Sequence, residues 1–115
     1  MSNILSLNRD DPIIHLKAYS SVKIEGIDRA EVNCTIESPE LATLTEEEGH
    51  VYITVNSACH LEMPINSSLE IERAMGSIKI RNIKGAINAD KVLSNLVLVN
   101  INRASIDMIG GSFSV

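Results

Sequence analysis

The side chains of this 115-residue chain that are equipped for chemistry are few and scattered. The candidates are His15, His50 and His60, the cysteines Cys34 and Cys59, and the acidic run Glu46-Glu47-Glu48. Cys59-His60-x-Glu62 is the one local cluster with metal-ligand residue types. Adjacent residues of a strand point to opposite faces, so Cys59 and His60 are badly placed to grip one ion. His60 and Glu62 share a face, but two ligands fall short of a metal centre. Glu70, Glu72 and Asp90 would offer paired carboxylates for acid–base work, yet a flat sheet without a cleft leaves them as surface residues. The triple glutamate beside Gly49 reads as a solvated hairpin tip. Nucleophile-elbow, phosphate-loop and zinc-protease helix motifs are all lacking. The expectation is a non-enzymatic protein with no catalytic, cofactor-binding or metal-binding residues and no cofactor.

The elements that must position these residues are strands. Pro12 opens IIHLKA, Ser20-Ser21 turn the chain into Val22-Lys23-Ile24, and Gly26 breaks that run. Glu31 to Ile36 alternates, placing Val32, Cys34 and Ile36 on one face. LATLTEEEGHVYITV reads as a hairpin whose turn is supplied by the glutamates and Gly49, with Val51, Ile53 and Val55 returning inward. Cys59, Leu61 and Met63 form a strand stopped by Pro64. No window sustains the three-and-four spacing of an amphipathic helix.

From Leu69 the chain repeats. Apolar–x–apolar pairs begin at Leu69, Ile78, Ile87, Leu96, Ala104 and Phe113, spaced nine, nine, nine, eight and nine apart. A further apolar residue keeps the beat (Ile83, Val92, Ile101, Ile109), as does a turn-former (Gly76, Gly85, Ser94, Asn102, Gly111). A fixed short period marks a solenoid, in which each unit buries its apolar edge by stacking on its neighbours. The fold expected is all-β: a parallel β-solenoid or β-helix of nine-residue units from residue 69, preceded by an irregular strand-rich N-terminal cap over 1–68, the whole one domain over 1–115. Two units per coil would pair strands 69–72, 87–90 and 104–107 in one sheet and 78–81, 96–99 and 113–115 in the other. The corner glycines and serines are expected to adopt backbone angles that other residues resist. Calcium-binding nonapeptide rolls need an aspartate and paired glycines in every turn, a spacing this chain lacks.

Composition narrows the function. Aromatic residues are 3% of the chain against 44% hydrophobic, so the core must be Ile, Val and Leu. Residues 1–68 hold eleven acids and four bases, residues 69–115 four acids and six bases, for a net charge of −5. An acidic chain poor in aromatics points away from nucleic acid, and the bases Arg73, Lys79, Arg81, Lys84 and Lys91 read as solvated strand faces. The N-terminus lacks the basic and apolar regions of a secretory signal, and no stretch is long enough to insert into a membrane as a helix. Two cysteines then read as reduced, buried thiols of a cytoplasmic protein.

From Cys59 onward, HLEMPINSSLEIERAMGSIKIRNIKGAINADKVLSNLVL resembles a bacterial adhesin-like β-solenoid family of unknown function. The resemblance rests on a strand ending in proline, a polar turn, and repeated G-x-I-x-I-x-x-I-x-G units, and the preceding alternating strands also fit that layout. It implies a β-solenoid with no catalytic residues and an adhesive role. KGAINADKV and the smooth repeat are more weakly similar to bactofilins, cytoplasmic polymer-forming β-helices.

The function expected is a structural or interaction module that self-associates through solenoid surfaces or ends; the alternative is a carbohydrate- or ligand-binding adhesin-like domain. The interface residues expected are Val97, Val99, Phe113 and Val115. Leu96-Val97-Leu98-Val99 is apolar on both faces, which requires cover on both, either from the N-terminal strands folded back or from a second subunit. The pair Phe113/Val115 closes the chain inside a repeat, so a longer natural array or another copy is expected to cover that end. A homo-oligomer follows, a dimer in preference to a filament.

Overall fold

The computed structural model describes residues 2–6, 11–36, 40, 42–109 and 113–114, with side chains described for 11–36, 40 and 42–106. Among these, the alternating apolar runs form β1 (Ser2–Ser6), β2 (Ile13–Ala18), β3 (Val22–Ile27), β4 (Glu31–Ile36), β5 (Ala42–Glu47), β6 (His50–Val55) and β7 (Cys59–Pro64). The repeat forms β8 (Ser68–Ala74), β9 (Ile78–Arg81), β10 (Ala86–Val92), β11 (Leu96–Val99), β12 (Arg103–Ile109) and β13 (Phe113–Ser114). Two mixed sheets result. The seven-stranded sheet runs β1-β4-β7-β3-β9-β11-β13, and the six-stranded sheet runs β12-β10-β8-β2-β6-β5.

The repeat pairs as its spacing dictates. Ile87 lies opposite Leu69 and Ala104 in the six-stranded sheet. Leu96 lies opposite Ile78 and Phe113 in the seven-stranded sheet, and every one of these pairings is parallel. Side chains that meet between successive two-strand layers are 17 or 18 residues apart, as Ser77 with Ser94 and Asn82 with Asn100. The fold is therefore all-β and solenoid-like through its repeat.

The first half is not the irregular cap expected of it. β2 pairs in parallel with both β6 and β8, and β3 pairs in parallel with both β7 and β9. The layer β2–β3 is thus inserted between β6–β7 and β8–β9, out of chain order. Its inward residues continue the same columns: Leu16 faces Ile53 on one side and Ile71 on the other, and all three are buried. Only β1, β4 and β5 are antiparallel, at one end of the two sheets.

Inward positions from both sheets join one buried cluster of Ile, Val and Leu, with Ala, Met63 and Cys34 filling the narrower places. Ile80, Ile87 and Leu96 are buried as expected. Ile106 is only partly buried and Ala104 is exposed, against expectation. Their strand, β12, is the edge of its sheet, so its inward side chains have a neighbouring layer on one side only.

The corners also differ from the expectation. Among the described residues the positive φ angles belong to Glu48, Gly49, Asn82 and Asn100, not to Gly76 or Gly85. Asparagine tolerates the left-handed region because its short amide bonds locally, and here Asn100 Nδ2 donates to Asn82 Oδ1 at 2.8 Å. Glycine is needed for clearance instead. A Cβ on Gly26 would stand 1.9 Å from the Asn82 carbonyl oxygen, and one on Gly76 would stand 2.3 Å from the Ser20 carbonyl carbon. Gly26 therefore does not break its strand, which runs on to Ile27. In the hairpin, Glu46 and Glu47 belong to β5, and Glu48-Gly49 alone make the turn.

Candidate functional site

Each sheet turns one face outward, and the two outer faces are chemically distinct. On the six-stranded sheet, parallel register places Tyr52, His15, Glu70, Asn88 and Ser105 in one row across β6, β2, β8, β10 and β12. His15 is held on both sides: its Nδ1 is 3.1 Å from Glu70 Oε2, and its Nε2 is 3.0 Å from His50 Nδ1. The Tyr52 ring lies nearly parallel to that of His15, at 11° with centroids 4.8 Å apart. Further along, Glu70, Glu72, Asn88, Asp90 and Ser105 line a shallow polar groove of about 400 Å³. The three carboxylates are thus on one face as expected, but spread across adjacent strands rather than gathered in a cleft.

On the seven-stranded sheet, Lys23, Lys79 and Val97 stand in one row and Glu25, Arg81 and Val99 in the next. His60 Nε2 is 3.7 Å from Glu25 Oε2, and Asn33 Nδ2 donates to Glu62 Oε1 at 3.2 Å. His60 and Glu62 thus share a face but turn to different partners. Val97 borders a hollow of about 430 Å³ that also takes in Val22, Cys59 and Ile78 and is rimmed by Lys23, His60 and Lys79. Val99 is exposed. Among the described residues the N-terminal strands do not fold over this face: β1, β4, β7 and β3 extend the same sheet, and β2, β6 and β5 extend the other. Of the expected interface residues, the side chain of Phe113 and the whole of Val115 lie outside the described residues.

The cysteines meet inside. Cys34 on β4 and Cys59 on β7 are free thiols on neighbouring antiparallel strands, and their side chains hydrogen-bond to each other. The bond from Cys59 holds the Cys34 thiol below its ordinary value, against the opposing effect of burial. The same bond, with burial and the charge on Cys34, pushes the Cys59 thiol upward.

Sequence reasoning did not bring His15, His50, Tyr52 and Glu70 together. The signal existed in part: Val51/Ile53 and Cys59/Leu61 are spaced eight apart, as are Ile14/Leu16 and Val22/Ile24. That beat marks residues 13–27 and 50–64 as further layers of the repeat.

No protein-family model matches the chain, and no curated protein matches it. Among solved structures, it is similar over 99% of its length to a protein from Clostridium sporogenes described as a candidate cell adhesion protein, covering 97% of that chain. The TM-score is 0.61 at 8% sequence identity. At that identity the likeness is one of fold, and it extends over the antiparallel end as well as the parallel layers.

Proposed function

We propose that this chain is a non-enzymatic interaction module whose layers are successive coils of a closed β-solenoid and which self-associates as a dimer. The observation that carries this reading is β11. Leu96 and Leu98 are buried in the core, while Val97 and Val99 on the same strand face outward with no strand laid over them among the described residues. A strand apolar on both faces is normally covered on both. Lys23, Lys79 and Arg81 flank the valines and would form the polar rim of such a contact. The adhesion role in the description of the Clostridium sporogenes protein supports an interaction role in general. Phe113 and Val115 would extend the contact toward that end of the sheets, and the reduced Cys34–Cys59 pair suits a cytoplasmic setting.

Solution mass tests this reading. The wild-type chain should run as a dimer, and Val97→Glu with Val99→Lys should make it a folded monomer. A wild-type protein that stays monomeric at tens of micromolar, or a double variant with unchanged dimer mass, overturns it. The polar groove over Glu70, Glu72, Asn88, Asp90 and Ser105 favours a second reading, a saccharide-binding face, since neutral sugars are held by such planar amide and carboxylate groups. Thermal stabilisation by members of a glycan library, lost in Asn88→Ala, would favour it over the first.

A further inference from the structure

The outer face of the seven-stranded sheet sorts its charges by row instead of mixing them. Parallel register sets His60, Lys23, Lys79 and Val97 side by side across β7, β3, β9 and β11. Two residues further along the same strands stand Glu62, Glu25, Arg81 and Val99. Base thus adjoins base in the first row, and acid adjoins acid at the start of the second. Like charges facing each other on paired strands destabilise a sheet. Lys23 and Lys79 are such a pair, and among the described residues neither forms an ion pair with a carboxylate. Glu25 turns instead to His60, at 3.7 Å, and Glu62 accepts from Asn33.

Both rows reach a valine at β11, so one symmetry operation can answer the charges and cover the valines together. Sheets packed face to face lie about 10 Å apart, and a two-fold axis relating them lies in the plane between them. An axis running across the strands, between the two rows, carries the first row of one copy onto the second row of the other and keeps the strand order. Lys23 then meets Glu25 of the second copy, His60 meets Glu62, and Val97 meets Val99, each contact occurring twice. Ile27 follows Lys23 and Glu25 in the outward alternation of β3, and it comes over the hollow bordered by Val22, Cys59 and Ile78. Lys79 against Arg81 is the one unfavourable meeting, and Glu25 of the second copy lies one strand away from that lysine. An axis along the strands, between β3 and β9, does worse. It sets Lys23 against Lys79 and the valines against His60 and Glu62, and only Glu25 with Arg81 gains.

From this match of rows we infer that the second copy docks face to face with its strands antiparallel, about a two-fold axis across the strands, with Lys23 and Glu25 as reciprocal contacts. The inference rests on the dimer proposed above and adds which residues choose the partner and fix its orientation. Val97 and Val99 supply the apolar burial, while the charged rows set register, the part that charge complementarity plays in an interface.

Two charge-reversed chains test it, each measured alone and in an equimolar mixture by sedimentation equilibrium. Lys23→Glu alone sets acid against acid at both reciprocal contacts, and Glu25→Lys alone sets base against base. Each change counts twice across the axis, so each variant should dimerise about ten-fold or more weakly than wild type. The mixture puts opposite charges at both contacts and should form a heterodimer close to wild-type strength. Should a reversal unfold the chain, Lys23→Gln and Glu25→Gln replace it, each weakening the dimer about two-fold or more. A wild-type chain that is monomeric at tens of micromolar overturns the dimer reading and this inference together. A wild-type dimer unmoved by these changes, tightened by Lys23→Glu as the axis along the strands requires, or not re-formed in the mixture overturns the inference alone.

Discussion

Two stretches of this chain build the same layer by different routes. From Ser68 onward each two-strand layer stacks on the one just completed, β10–β11 on β8–β9 and β12–β13 on β10–β11. Residues 13–27 form an equivalent layer that is made early and ends up between two later ones. Its corners are bonded on both sides: Tyr19 N donates to Val55 O and Met75 N to Ala18 O, while Cys59 N donates to Ser21 O and Val22 N to Ser77 O. The difference shows that stacking is indifferent to chain order. A layer fits wherever its inward pairs meet inward pairs and its corners find backbone partners. What the inserted layer demands beyond a sequential one is that both of its flanking layers be in place, so it cannot finish folding before residue 81 is made.

The comparison breaks most sharply in the core. If the inserted layer is as integral as the sequential ones, Leu16→Ala and Ile87→Ala should each cost about 2–5 kcal/mol, because both side chains are wholly buried with a layer on either side. Urea melts with an unchanged slope would measure it. A loss for Leu16→Ala well under that of Ile87→Ala would mean that residues 13–27 are a loosely applied patch.

A smaller effect sharpens the same point at the corners. Gly26 abuts the backbone of Asn82 and Gly76 abuts that of Ser20, both across the inserted layer, while Gly85 abuts Ser67 in the sequential part. The opposing atoms are main chain and cannot swing aside. Alanine at Gly26 or Gly76 should therefore destabilise by about 1–3 kcal/mol through overpacking, where a glycine free of such contact would gain from the change. Gly85→Ala should lose as much. If Gly26→Ala is neutral in denaturant midpoint while Gly85→Ala is not, the inserted layer is separated from its neighbour by more than the contact distance.

Much of this fold was legible because alternation and period are local. The pairs from Leu69 onward gave the sheet partners, and Leu96-Val97-Leu98-Val99 gave a strand with two apolar faces. The insertion was not legible, because nothing in Ile14/Leu16 or Val22/Ile24 says whether the strand beside them begins at His50, at Ser68 or at both. The histidine row was lost with it: His15, Tyr52 and Glu70 lie on three strands, and only their register makes them neighbours. The corners misled for another reason. Glycine at a repeat position signals either a special φ angle or close approach, and the sequence does not separate the two; Asn82 and Asn100 took the φ, and the glycines took the contact.

The smallest effect lies at the antiparallel end, where left-handed geometry is again needed but asparagine is absent. Glu48 and Gly49 have φ angles of 49° and 82° and join β5 to β6 as a two-residue turn closed by the pair Glu47 and His50. Two positive φ values in succession define the hairpin turn that favours Asn-Gly, since its twist matches the flanking strands. At Asn82 and Asn100 the parallel layers place asparagine where φ is 59° and 58°. The hairpin instead places glutamate, whose Cβ crowds the following carbonyl and whose charge adjoins Glu46 and Glu47. Glu48→Asn should raise the unfolding free energy by roughly 0.5–1 kcal/mol, seen as a higher denaturant midpoint, a fraction of the ~1–2 kcal/mol that the left-handed region costs an ordinary residue. Glu48→Gln separates the two contributions, because it removes the charge but keeps the longer side chain that does not favour the turn. If glutamine stabilises as much as asparagine, the glutamate run acts by repulsion alone. If asparagine lowers the midpoint, the turn angles at residues 48 and 49 are not those of the folded chain.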